Sequence, residues 1–131
     1  MSSGSGHAVI EFPEGLPGFE NCRQFVLVSG PAFEPFTMLQ GLGPNAPAFA
    51  AIDPLRVVGG YRTELEQSDL DRLQADGKTP LLWLALICPQ PTGALTVNLR
   101  APLVINPDKL LGLQHIVADS SYPVDYPLRA A

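Results

Sequence analysis

The sequence predicts an all-β fold, mainly antiparallel, forming a small β-barrel-like or sandwich domain of about nine strands with one short helix near residues 68–75. Three observations lead there. Short runs of β-forming residues alternate with turn clusters from Ala8 to Val117, as in a sheet that folds back on itself. Fourteen prolines and twelve glycines interrupt the chain too often for long helices. With 46% apolar and 16% charged residues in a chain of 131, there is enough apolar surface for one core and too little length for two. Residues 1–7 read as a flexible Ser/Gly arm and residues 8–131 as a single β domain, with a loose C-terminal tail from about residue 119.

The first strand spans Ala8–Phe12 and ends at Pro13. In Gln24–Ser29, Phe25 and Leu27 face one way and Val26 and Val28 the other; both faces are apolar, so this strand belongs at the centre of the sheet. Phe36–Gln40 and Ala48–Ile52 follow, separated by the Gly41–Pro47 loop, and then the weaker stretches Leu55–Val58 and Tyr61–Thr63, made irregular by Pro54 and Gly59-Gly60. Ser68 as N-cap with Asp71 three positions on, and Leu70 with Leu73 on one face, predict the helix, which Asp76-Gly77 stops. Leu81–Cys88 has no polar face and reads as a core strand covered on both sides. Leu95–Leu99, Leu103–Asn106 and Leu113–Val117 complete the set, with Pro102 bending the ladder between the first two.

A net charge of −5 repels phosphate backbones, which disfavours direct nucleic-acid binding and favours a basic protein partner. The longest apolar run, Leu81 to Cys88, has eight residues, short of the roughly 20 needed to span a bilayer as a helix. Two cysteines, Cys22 and Cys88, are too few for a disulfide framework and suit a reducing cytoplasm; Cys88 reads as a small buried hydrophobe and Cys22 as half exposed. Gly41-Leu-Gly43-Pro-Asn-Ala46 matches a dinucleotide fingerprint by letter, but Pro44 and Pro47 lead into a strand instead of the helix that would receive a pyrophosphate. No Walker loop, nucleophile elbow or zinc helix occurs. His115, Asp119 and Ser120 have the residue types of a nucleophilic triad, yet a strand at His115 and a turn at Asp119 do not bring them together. No catalytic residue, cofactor, metal or small-molecule substrate is expected.

Glu64, Glu66, Asp69, Asp71 and Asp76 gather on and before the helix, partly offset by Arg62, Arg72 and Lys78. Two readings fit. The charges form a solvated helix face with Asp69 and Asp71 favouring the positive end of the helix dipole, or they form an acidic docking face.

A run of blocks in order carries a further likeness. Phe12-Pro-Glu-Gly-Leu-Pro-Gly-Phe-Glu20 precedes Gln24-Phe-Val, then come Pro35-Phe36, Leu39-Gln40, Ala48-Phe49 and Asp53-Pro54; Thr96-Val-Asn-Leu-Arg-Ala-Pro102, Val104-Ile-Asn106, Gly112-Leu-Gln114, Asp119 and Tyr122 follow. From about Phe12 to Tyr122 the chain resembles the flagellar assembly factor (FliW) family. The resemblance implies a cytoplasmic, non-catalytic β-barrel-like protein that binds flagellin and antagonises the carbon storage regulator CsrA, an RNA-binding repressor of flagellin translation, so that flagellin synthesis follows export. A small nucleic-acid-binding barrel of the OB type is the alternative that the strand count permits and the charge opposes. Family members usually carry a further strand ahead of the first block; here the opening strand is expected to be shortened or missing, with a sheet edge exposed.

Eight residues are candidates for partner binding: Leu16, Phe19, Glu64, Glu66, Asp71, Asn98, Arg100 and Gln114. Leu16 and Phe19 are apolar loop residues that either cap the barrel or anchor a partner helix. Asn98 either bonds neighbouring backbone before Pro102 or meets the partner. Glu64, Glu66 and Asp71 belong to the acidic group, while Arg100 and Gln114 lie within the blocks that carry the resemblance.

Overall fold

In the computed structural model, which describes residues 8–117 and 121–128, nine strands, one α-helix and one short 3-10 turn are present among the described residues. In chain order they are β1 (Val9–Glu11), β2 (Gln24–Val28), β3 (Phe36–Gly41), β4 (Ala48–Ile52), α1 (Gln67–Arg72), β5 (Leu82–Pro89), β6 (Leu95–Val97), β7 (Leu103–Asn106), β8 (Leu111–Gln114) and β9 (Tyr126–Pro127). The sheet order is β4-β3-β2-β1-β8-β7-β5-β6-β9, and β4 also pairs with β5. That last pairing closes seven strands into a barrel, and β6 with β9 extends it along β5.

Closure explains why β5 is apolar throughout. Leu84 and Leu86 join Ile10, Phe25, Leu39, Ala51, Leu103 and Ile105 inside the barrel. Trp83, Ala85 and Ile87 face outward into a second core with Val104, Leu113, Tyr61 and Leu73. Successive residues of a strand point to opposite faces, so a strand serving two cores has no position left for a polar side chain.

Several elements differ from the sequence reading, each for a local reason. The helix runs over Gln67–Arg72 with Glu66 as N-cap, instead of beginning at Ser68 and reaching residue 75. Asp69, not Asp71, reaches back to the first turn, accepting from Glu66 N at 3.4 Å; this register sends Leu73 fully into the second core. Gln74 then turns left-handed at φ 53°, so the helix stops before Asp76. Leu55–Val58 is no strand: Asp53 caps a 3-10 turn at Pro54–Arg56, accepting from Leu55 N at 2.9 Å. Tyr61–Thr63 is irregular, with Tyr61 buried. The strand at Leu95 ends at Val97 because Asn98 Oδ1 accepts from the backbone N–H groups of Arg100 and Ala101, both at 3.1 Å.

β8 occupies Leu111–Gln114, two residues earlier than expected at its start. Beyond it the chain still bonds past Pro102, His115 N to Pro102 O and Val117 N to Arg100 O. The opening strand is short, yet it lies between β2 and β8 and is not a barrel edge. The tail is held as far as it is described. β9 pairs with β6, Leu99 N donates to Pro123 O, and Leu128 N donates to Leu95 O. Its two prolines hid a strand whose ladder needs few donors from it. Cys22 and Cys88 are free and both half-buried, Cys88 less covered than expected because the end of β5 runs past the barrel into the β6 extension. The arm at residues 1–7 and the tail position Asp119 lie outside the described residues.

Candidate interaction face

The loop Phe12–Glu20 leaves β1 alongside β8 and lays its apolar residues inward. Phe12 is fully buried, edge-on to Phe25 with ring centroids 5.5 Å apart. Its ring occupies the space a side chain at Gly112 would take: a Cβ there would stand 2.6 Å from Phe12 Cε2. Gly15 combines φ +69° with a position where a Cβ would lie 2.8 Å from Glu20 Cα, so only glycine brings the loop back on itself there. Leu16 turns into the barrel core at 3% exposure, whereas Phe19 remains 44% exposed and rests edge-on against Phe49. Of the two sequence-level options, Leu16 caps the barrel and Phe19 presents a surface.

Between this loop and β8 lies a cavity of about 380 Å³. Pro13, Pro17, Leu113 and Ile116 supply its apolar wall, and Glu14, Glu20, Arg72 and Gln114 its polar groups. The Arg72 guanidinium holds the Glu14 carboxylate through Nη1, at 2.8 and 2.9 Å, and Asp69 Oδ1 through Nη2. Hydrogen bonds to Glu14 first and Asp69 second push its pKa above the usual arginine value. Asp69 is only 4% exposed, and its other oxygen lies 3.2 Å from His115 Nδ1. A buried carboxylate is tolerable when it is paired and hydrogen-bonded, and here the pairing links the loop, α1 and the exit of β8 in one chain of contacts.

Beyond His115 lies a second hollow, lined by Arg62, Glu64, Leu65, Glu66 and Val117. Ile116 borders both hollows and is 63% exposed, the highest among the exposed large hydrophobic side chains of the described residues. An apolar ridge thus stands between two depressions whose margins carry four carboxylates (Glu14, Glu20, Glu64 and Glu66) against two guanidinium groups (Arg62 and Arg72).

The fold therefore gathers only part of the predicted set. Glu64, Glu66 and Gln114 meet around Ile116. Asp71 is exposed on α1, accepting from Gln67 at 2.8 Å, and lines neither hollow. Asn98 bonds the backbone as described above, and Arg100 Nε donates to Tyr122 O at 2.9 Å, so both brace the turn before Pro102. Gln114 Nε2 donates to Ala101 O at 2.9 Å, while its buried Oε1 has no donor among the described residues. Sequence reasoning missed Glu14, Glu20 and Ile116 as members of this face and read Arg72 only as a partial offset to the acidic group. The Asp69-x-x-Arg72 spacing was a usable signal, since residues three apart share a helix face; Ile116 offered none, because an isoleucine near the end of a strand reads as core.

His115 faces Asp69 and, edge-on, Trp83 at 6.0 Å. Asp119 and Ser120, the other members of the sequence-level triad, lie outside the described residues. Among the described residues no three His, Cys, Asp or Glu side chains are grouped to hold a metal ion, and no helix is long and apolar enough to cross a membrane.

Behind the face, Tyr61 donates to Leu99 O at 2.6 Å and stacks against Tyr122 at 4.6 Å. Burial, with the neighbouring Tyr122 second, pushes its phenol well above the usual tyrosine range. The Tyr122 hydroxyl in turn accepts from Arg62 N at 3.1 Å, which ties the tail to the segment that carries Glu64 and Glu66.

The family model described as FliW protein matches residues 3–128. The flagellar assembly factor FliW of Natranaerobius thermophilus is 34% identical over 122 residues, covering 92% of this chain and 81% of that protein. Its counterpart in Geobacillus sp. strain WCH70 is 35% identical over 122 residues, covering 92% and 83%. A crystal structure of the flagellar assembly factor FliW superposes with a TM-score of 0.82 at 31% identity, over 94% of this chain and 86% of that one.

Proposed function

The chain belongs to the FliW family, non-enzymatic flagellar assembly factors, and from that premise we propose that it works in the cytoplasm by binding flagellin and by antagonising CsrA, coupling flagellin synthesis to export in the manner of a chaperone with a translational output. Family membership displaces the OB-type alternative and the nucleophilic-triad reading of His115, Asp119 and Ser120. The observation that carries the proposal is the face around Ile116: an exposed apolar ridge with acidic margins. An RNA-binding regulator must present a basic surface to phosphate, and an acidic face of this kind is complementary to it. Apolar contact holds such a complex, while the charges govern encounter and partner choice.

Titration of the purified protein with CsrA and flagellin from the same cell tests this directly. Binding of either partner at micromolar concentration supports the proposal; binding of neither removes it. Reversing Glu64, Glu66 and Asp71 together to lysine weakens CsrA binding and flattens its salt dependence, because exposed charges act over about 8–10 Å at moderate ionic strength. Since Asp71 lines neither hollow, the Glu64 and Glu66 changes account for most of that loss. Unchanged affinity at every salt concentration would mean that these carboxylates are only solvated.

A further inference from the structure

We infer that the cavity between the Phe12–Glu20 loop and β8 is a socket for one basic side chain of a partner, arginine in preference to lysine. The inference rests on the reading of a basic protein partner and goes further in naming where its anchor residue enters and what receives it.

The walls and the polar groups point to the same occupant. Pro13, Pro17, Leu113 and Ile116 offer apolar surface that suits the methylene stem of a long cationic side chain. The polar groups are acceptors or are already engaged. Glu20 and Glu14 are carboxylates, and Arg72, the cation of the cavity, is spent on Glu14 and on the buried Asp69. Glu20 takes a hydrogen bond of 3.1 Å from Gly18 N through Oε2, and its charge is not opposed by any salt bridge found among the described residues.

Gln114, the remaining polar group of the lining, is committed elsewhere. Its amide nitrogen is committed to Ala101 O, which fixes the carbonyl end, and that oxygen is buried without a donor among the described residues. An oxygen already shut off from solvent is not open to an occupant, so the carboxylates are the acceptors that the cavity offers. A guanidinium carries five donors in a rigid fork that can meet a carboxylate such as Glu20 through two parallel bonds; an ammonium is a compact charge that fits this less well. A carboxylate or phosphate ligand would meet Glu14 and Glu20 and find the arginine occupied.

The test uses small probes and the whole protein, followed by two-dimensional amide NMR. N-acetyl-arginine amide is expected to shift the Gln114 side-chain amide and the backbone signals of Gly15 and Gly112 saturably, N-acetyl-lysine amide more weakly, and N-acetyl-norleucine amide not at all. Glu20→Gln keeps the acceptor for Gly18 N and removes the charge; it should weaken the arginine probe by roughly two- to fivefold, the range for a partly exposed ion pair, while the remaining spectrum stays that of the folded protein. Equal shifts with the norleucine probe, no saturable shift with the arginine probe, or no effect of Glu20→Gln would each overturn the socket. If CsrA or flagellin binds while the arginine probe does not, the socket fails and the proposed function stands. If the probe binds and neither protein does, the reverse holds.

Discussion

Replacing Gly112 by alanine adds one methyl group where the structure has no room for it. The new Cβ would lie 2.6 Å from Phe12 Cε2 and 2.7 Å from Cζ, against the 3.5–4.0 Å at which carbon atoms pack. The ring cannot swing aside freely, since Phe12 is fully buried and boxed by Phe25. Overpacking of this kind costs about 1–3 kcal/mol, a large part of the roughly 5–15 kcal/mol that holds a domain together. Phe12→Leu alone costs about 1–2 kcal/mol through lost ring contacts, but it clears the space that the added methyl group would need. The double variant should therefore fall short of the sum of the single costs by about 1 kcal/mol or more. Urea unfolding followed by Trp83, the sole tryptophan and 8% exposed, measures all three, with the midpoint moving and the slope unchanged. A Gly112→Ala protein within about 0.5 kcal/mol of the parent, or strict additivity in the double variant, would refute the claim that ring and glycine share one space.

Two further outcomes test the scaffold behind the face. Tyr61 has its folded pKa raised by burial, so the stability it contributes is fully present below the unfolded tyrosine value of about 10 and is lost as pH rises beyond it; thermal unfolding followed upward from about pH 10 should decline less steeply for Tyr61→Phe. At neutral pH the same variant gives up about 0.5–1.5 kcal/mol with the bond to Leu99 O, and an identical alkaline profile would exclude Tyr61 as the source. Asp69→Asn removes the buried charge facing Arg72 and His115 and should cost about 1–3 kcal/mol, tempered because Arg72 retains Glu14 and is 43% exposed. Thermal unfolding in low and high salt checks it, and an unchanged midpoint would mean that the carboxylate carries no net stability.

Much of this protein could be read from its residues alone. Proline and glycine spacing limited it to short strands, the polar-free run at Leu81–Cys88 required cover on both faces, and the ordered blocks from Phe12 to Tyr122 indicated the family. These are local or compositional properties, and each acts within a few residues of its cause. What the chain order could not give was partnership across distance. Asp69 reads as a helix-dipole charge until Arg72, Glu14 and His115 are seen around it, and Glu14 and Arg72 stand 58 positions apart. Gln114, Ile116 and Glu64 become neighbours of one ridge only when the sheet closes and Tyr122 ties the segment before α1 to the tail. Side-chain exposure is likewise decided by closure, because the same strand alternation that buries Leu113 leaves Ile116 in solvent where β8 has ended.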